Sequence, residues 1–119
     1  MNEKAVAVFD VGKTNKKILM CDFDLNLISE SEERFPELLD DDGFVCDDIE
    51  KIEKWIETSI HDLVNSDKYD IAGVNFATYG ATLAYLDKEG KRVTPIYNYL
   101  KPLHDKIPEK IYKDNKILL

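Results

Sequence analysis

One stretch of this chain has to form a helix, and that helix has to lie on something. Between Asp47 and Ser66, the residues Ile49, Ile52, Ile56, Ile60 and Leu63 recur at three- and four-residue steps. That spacing stacks apolar side chains along one face of an α-helix. Trp55 broadens the face, while Lys54, Glu57 and His61 fall on the opposite side. Asp47 or Asp48 stands where an acidic cap satisfies free amides and complements the helix dipole. His61 reads as a solvated helix residue, with nothing to pair it with a metal or a nucleophile.

The flanking segments supply the surface. Lys4 to Asp10 is short, apolar and partly β-branched, and reads as a buried strand. Val11 to Lys16 has the Gly, Thr and Asn of a turn, and Lys17 to Phe23 reads as a second strand. Asp24-Leu25-Asn26 turns the chain again, and Leu27 to Phe35 gives a third strand that stops before Pro36. Such short links make an antiparallel meander. Asp70 to Phe76, after the helix, is a further buried strand reached by a crossover. Ala77 to Gly80 is a bend. Thr82 to Asp87 and Lys91 to Thr94, around Lys88-Glu89-Gly90, read as a β-hairpin. Ile96 to Leu100 is a short extended piece, and a helix over Pro108 to Lys113 suits Pro near a helical start. The expected fold is therefore α/β, a mixed sheet in the order β-β-β-α-β plus a β-hairpin. One helix covers one face only, whereas such sheets usually carry helices on both. An incomplete domain is the natural reading, and the apolar end Ile117-Leu118-Leu119 together with the uncovered face offers a route to a homodimer.

Composition narrows the function classes. The 119 residues carry a net charge of −8, which disfavours non-specific nucleic-acid binding through counterion release. It leaves a nucleotide ligand open, because backbone amides and a metal can hold phosphates. The longest apolar run, Ala5 to Phe9, is far short of the roughly 18 residues of a membrane span, and no secretory signal pattern is present. Cys21 and Cys46 belong to no CxxC and read as reduced thiols of a cytoplasmic protein, with one long-range disulfide as the alternative. The run Asp40-Asp41-Asp42-Gly43 is not a calcium loop: counting back from Gly43 puts Leu38 at the first ligand position. It reads as a solvated acidic turn.

Chemistry concentrates in Asp10-Val11-Gly12-Lys13-Thr14-Asn15. Its Gly-Lys-Thr is not a P-loop, because Ala7 stands where the first Gly is required and a strand, not a helix, follows. A different phosphate site fits. Asp10 ends a buried strand, where a carboxylate can hold a metal or its water shell. Gly12 lets the backbone approach a ligand. Thr14 and Asn15 can donate hydrogen bonds, and Lys13 can bring a positive charge to phosphate oxygens. The competing reading is an ordinary hairpin turn with Asp before it.

Set between two strands at the N-terminus, FDVGKTN resembles the first phosphate-binding loop of the actin-like ATPase superfamily, whose core is ribonuclease H-like. Val74 to Ile96 (VNFATYGATLAYLDKEGKRVTPI) resembles the strand, bend and hairpin of FGGY-family carbohydrate kinases, and Thr78-Tyr79-Gly80 is similar to the Thr-Trp-Gly of rhamnulokinase-like members. The resemblance covers residues 4–100. It implies ATP-dependent phosphorylation of a ketose or deoxyketose. Asp10, Gly12, Thr14 and Asn15 would face the ATP phosphates and Mg2+, with Asp10 at the metal and Lys13 at a variable position. Thr78 and Tyr79 would line the sugar pocket, although Tyr79 alone also suits a half-buried packing residue.

This sequence departs from the family in three places. Ala77 replaces the Asp that precedes the Thr in rhamnulokinase-like chains. After the hairpin the family often has an aromatic, a polar residue and a sugar-contacting Asp; Tyr97-Asn98-Tyr99-Leu100 has no Asp, so Asn98 or Tyr97 would substitute. The third departure is length. Family members are several times longer and have two domains, with the base Asp, the second phosphate loop and the adenosine site far beyond position 119. The resemblance therefore makes residues 1–119 the first part of an N-terminal domain, without a catalytic residue and without turnover alone. The rival reading is a non-catalytic docking or dimerisation module derived from the same fold. A different actin-like ATPase, such as an acetate-type kinase or a chaperone relative, fits the bend and hairpin less well.

Overall fold

A computed structural model describes residues 2–103 and 106–115. The meander is β1 (Glu3–Val11), β2 (Lys16–Cys21) and β3 (Leu27–Glu33). After α1 (Ile49–Val64), strand β6 (Tyr69–Thr78) returns parallel to β1, giving the order β3-β2-β1-β6. The α/β mixed sheet and its element order are thus as the sequence predicts, within one or two residues at most ends. Ile117, Leu118 and Leu119 lie outside the described residues.

Strand alternation decides which face α1 covers. Ala5, Ala7 and Phe9 of β1, with Ile18 and Met20 of β2, are buried and form the core with Tyr69. Ile56, Ile60, Leu63 and Trp55 of α1 pack against them. Phe9 is fully buried, with its ring T-shaped to Trp55 at 5.5 Å and stacked on Phe76 at 5.3 Å. Asp48 is the N-cap, and its carboxylate accepts the Lys51 N–H at 3.2 Å. Val6, Val8, Asp10, Lys17, Leu19 and Cys21 alternate onto the other face, where they are half-buried. Both cysteines are free.

Beyond this layer the chain differs from expectation in detail. The segment from Pro36 to Cys46 contains a small hairpin, β4 (Leu38–Leu39) against β5 (Val45–Cys46). Its turn is built by Asp40, whose carboxylate accepts the N–H groups of Asp42 and Phe44 at 2.9 Å each, and by Gly43 at φ +79. Asp40 is therefore buried, and only Asp41 and Asp42 are solvated as predicted. The hairpin between Thr82 and Thr94 is reduced to one bridge, Leu86 with Arg92, around a turn organised by the Asp87 carboxylate. Leu83, Tyr85, Leu86 and Val93 are exposed, so this hairpin has no apolar support, and an isolated pair of strands is marginal in water. The final helix, α2 (Lys106–Asp114), takes in Pro108 near its start. The Cα radius of gyration is 18.9 Å, against about 13–14 Å for a compact domain of this length. No helix among the described residues is long and apolar enough to cross a membrane.

Candidate functional site

The parallel pairing of β1 with β6 brings two distant motifs to one end of the sheet. Val11 registers beside Thr78, and the Thr78 hydroxyl donates to the Val11 carbonyl at 3.3 Å. The Gly12–Asn15 turn and the Tyr79-Gly80 bend therefore leave the sheet side by side.

The turn is tight for an internal reason. A Cβ on Gly12 would sit 2.6 Å from the Asn15 carbonyl oxygen, so glycine is required by the turn itself. Asp10 precedes it on the open face, across from Lys17 in the ladder. Its carboxylate makes no hydrogen bond or ion pair with any described residue; it acts on Lys17 only at longer range. Thr14 is exposed. The Asn15 side-chain oxygen is buried without a hydrogen-bond partner. An unpaired carboxylate and an unsatisfied amide oxygen flanking one turn are acceptors that suit a hard cation or its water shell, so these residues fit a magnesium-bound phosphate.

On the helix-covered side, a charged cluster occupies the same end. Lys16 follows the inward alternation of Ile18 and Met20 and is 2 % exposed. Its ammonium donates to the Lys13 carbonyl at 3.0 Å and lies 3.6 Å from Asp47. Lys13 is turned away from Asp10 toward Asp47 at 3.3 Å and Glu37 at 3.6 Å. Tyr79 donates its hydroxyl to the same Asp47 carboxylate, beneath the Lys13 ammonium at 5.9 Å from its ring. Burial works to raise the Asp47 pKa, but the Tyr79 hydroxyl, Lys16 and Lys13 outweigh it and hold the carboxyl below its ordinary range. Burial, then the Asp47 hydrogen bond, push the Tyr79 phenol above its usual value. Tyr79 is therefore neutral at pH 7, with its proton directed at Asp47.

Thr78 and Tyr79 thus stand next to the turn, with Tyr99 6.0 Å from the Tyr79 ring. Asn98 is set apart. It is buried, and its side-chain oxygen accepts the Leu100 N–H at 2.9 Å, which shapes the local turn. It also lines a cavity of about 560 Å³ with Tyr85, Tyr97 and Tyr99. Asp40, Asp41 and Asp42 cluster closely enough for a cation, but the Lys101 ammonium already bonds Asp40 and Asp42 at 2.7 Å each. Burial raises the Cys46 thiol pKa, which makes it a poor nucleophile.

Sequence reasoning missed Asp47 and Lys16. Two adjacent acids before a helix, only one of which can cap, signal the first. A lysine at an inward position of a strand signals the second.

No family model and no curated protein matches the chain. Solved structures do match. The fold superimposes on a carbohydrate kinase from Novosphingobium aromaticivorans with a TM-score of 0.74 at 18% identity, over 95% of this chain and 23% of that one. It superimposes on gluconate kinase from Lactobacillus acidophilus with a TM-score of 0.68 at 20% identity, over 95% of this chain and 22% of that one. Plasmodium falciparum glycerol kinase with ADP gives 0.66 at 14% identity, over 99% and 24%. This chain spans less than a quarter of each, and at these identities the likeness establishes the fold alone, a mixed α/β sheet shared with part of each of these kinases.

Proposed function

We propose that this chain is the opening part of an FGGY-type carbohydrate kinase, with ATP and Mg2+ at the Asp10–Asn15 turn and the sugar beside Thr78 and Tyr79. The observation that carries the reading is the contact between Thr78 and Val11, which joins the two motifs at the carboxyl ends of parallel strands. Ligands of open α/β sheets bind outside those ends. The free Asp10 carboxylate is the metal or metal-water ligand, and Gly12, Thr14 and Asn15 meet the phosphates. When bound, Mg2+ neutralises charge on the transferred phosphoryl group. Lys13 contributes through its backbone, since its ammonium belongs to the Asp47 and Glu37 pairs. Tyr79 supplies an aromatic wall to the sugar, and Asn98 a more distant polar contact through the neighbouring cavity. Thr78-Tyr79-Gly80 favours a ketose or deoxyketose of the rhamnulose type.

The test uses weak binding instead of turnover. Mn2+ added to the 15N-labelled chain should broaden the amide signals of Gly12, Thr14 and Asn15, more strongly with ATP present, and Asp10→Asn should abolish that effect. Broadening confined to Asp40, Asp41 and Asp42 would overturn the reading. It would favour instead a non-catalytic docking module, which the elongated shape and the half-open sheet face support.

A further inference from the structure

The reading above gives Asp47 no part, yet its carboxylate is where side chains from both motifs converge. One oxygen, Oδ2, accepts from Lys13 Nζ and from the Tyr79 hydroxyl, and the other lies 3.6 Å from Lys16 Nζ. Lys16 in turn holds the Lys13 carbonyl at 3.0 Å. The Asp47 side chain is 8 % exposed, and Asp48, not Asp47, caps α1. Asp47 therefore serves the cleft and not the helix. A phenol has one proton to donate. With that proton given to Asp47, the Tyr79 oxygen has only lone pairs left for a ligand.

We infer that Asp47 is a positioning residue of the sugar cleft, one that fixes Tyr79 as a hydrogen-bond acceptor and ties its ring to the Gly12–Asn15 turn. The inference rests on the cleft being a sugar site. It deepens that reading with a selection rule. The substrate position at Tyr79 must carry a donor hydroxyl, because a carbonyl or ether oxygen there would face lone pairs with no proton between them.

Two readouts on the 119-residue chain separate this inference from the reading it rests on. Without ligand, a tyrosyl hydroxyl proton protected from exchange should be visible by NMR, be lost in Tyr79→Phe, and exchange at least tenfold faster in Asp47→Asn. With rhamnulose or xylulose added beside MgATP, the Tyr79 ring and Thr78 amide signals should shift. Asp47→Asn should remove that shift while the MgATP response of Gly12 and Asn15 persists. Should Asp47→Asn fail to fold because buried Lys16 loses its counterion, Tyr79→Phe keeps both ion pairs and must by itself remove the Thr78 response. An unprotected Tyr79 hydroxyl, or a sugar response that survives Tyr79→Phe, overturns the inference alone. A protected, Asp47-dependent hydroxyl with no sugar response in the unaltered chain overturns the sugar reading, and the selection rule with it.

Discussion

Up to Thr78 the chain is held together by ladders and a shared core; from Tyr79 to Lys101 it is held to that core by single side chains. In the first region β1 pairs along its length with β6 and from Val6 to Val11 with β2, and α1 seals one face. In the second, the strand pairing is one bridge, and the segment is tied back at separate points. Arg92 pairs with Glu53 of α1, the Tyr97 hydroxyl donates to Asp41 at 3.0 Å, and Lys101 reaches Asp40 and Asp42. Among the described residues beyond Thr78, Ile96 is the buried apolar one. The lesson is that the proposed phosphate turn sits on a cooperative unit, while Asn98 and its cavity sit on a segment held by a few separate side-chain contacts. Tyr79 lies at the joint between them.

The sharpest way to break this contrast is Phe9→Ala. A buried phenylalanine truncated to alanine costs about 3–5 kcal/mol, and Phe9 contacts both Trp55 and Phe76. Urea unfolding followed by the single tryptophan should lose most of its midpoint, and the second region should unfold with the first. An unchanged Trp55 transition would show that the two regions are not ranked as described. Gly12→Ala comes next. Its Cβ meets backbone, not a flexible side chain, so the turn must shift at a cost of about 1–3 kcal/mol. Amide shift changes should stay within Val11 to Lys16 and Thr78, with α1 untouched; changes spread through α1 would mean that the turn is not a local device.

The smallest effect is expected from acid. Burial works to raise the Asp40 pKa, but Lys101 and the Phe44 and Asp42 amides hold it below the ordinary range. A depressed carboxyl stabilises the fold above the unfolded value of about 3.9 and loses that contribution as pH falls through the folded value. Amide exchange at Leu100 and Lys101 should therefore quicken below about pH 4 while the β1–β6 ladder stays protected. Asp47 is displaced in the same sense, so the Tyr79 contact should loosen in the same window. Protection at Leu100 that outlasts the ladder would reverse the ranking of the two regions.

The cooperative region was largely legible in the sequence. Its apolar runs are long enough to show a period, and α1 repeats its pattern over four turns of chain. The β4–β5 hairpin escaped notice because two-residue strands carry no period. The Thr82–Thr94 hairpin forms its turn around Asp87 and Gly90 but pairs at one bridge, since Leu83 and Tyr85 have no surface to cover. At the site, Asp10, Gly12 and Thr78 could be picked from local pattern. Asp47 and Lys16 could not be joined, since their pairing depends on how the loop before α1 folds over β2. The Lys13 ammonium was expected at phosphate for the same reason: its acidic partners are distant in sequence.

The strand order leaves the sheet two unequal margins. β3 presents Glu30, Glu32 and Glu33, and crowding of like charge discourages another chain from zipping on there. β6 offers Asp70 and then Ile71 to Ala77 without a charge, with Phe76 half in solvent. An uncharged strand with free amides and carbonyls is a template for further pairing. Concentrated preparations of this chain are accordingly expected to cross-pair through β6, and a lysine placed at Ala72, where the strand is exposed, is the economical way to keep them dispersed, since Asn75 already caps the Phe76 N–H.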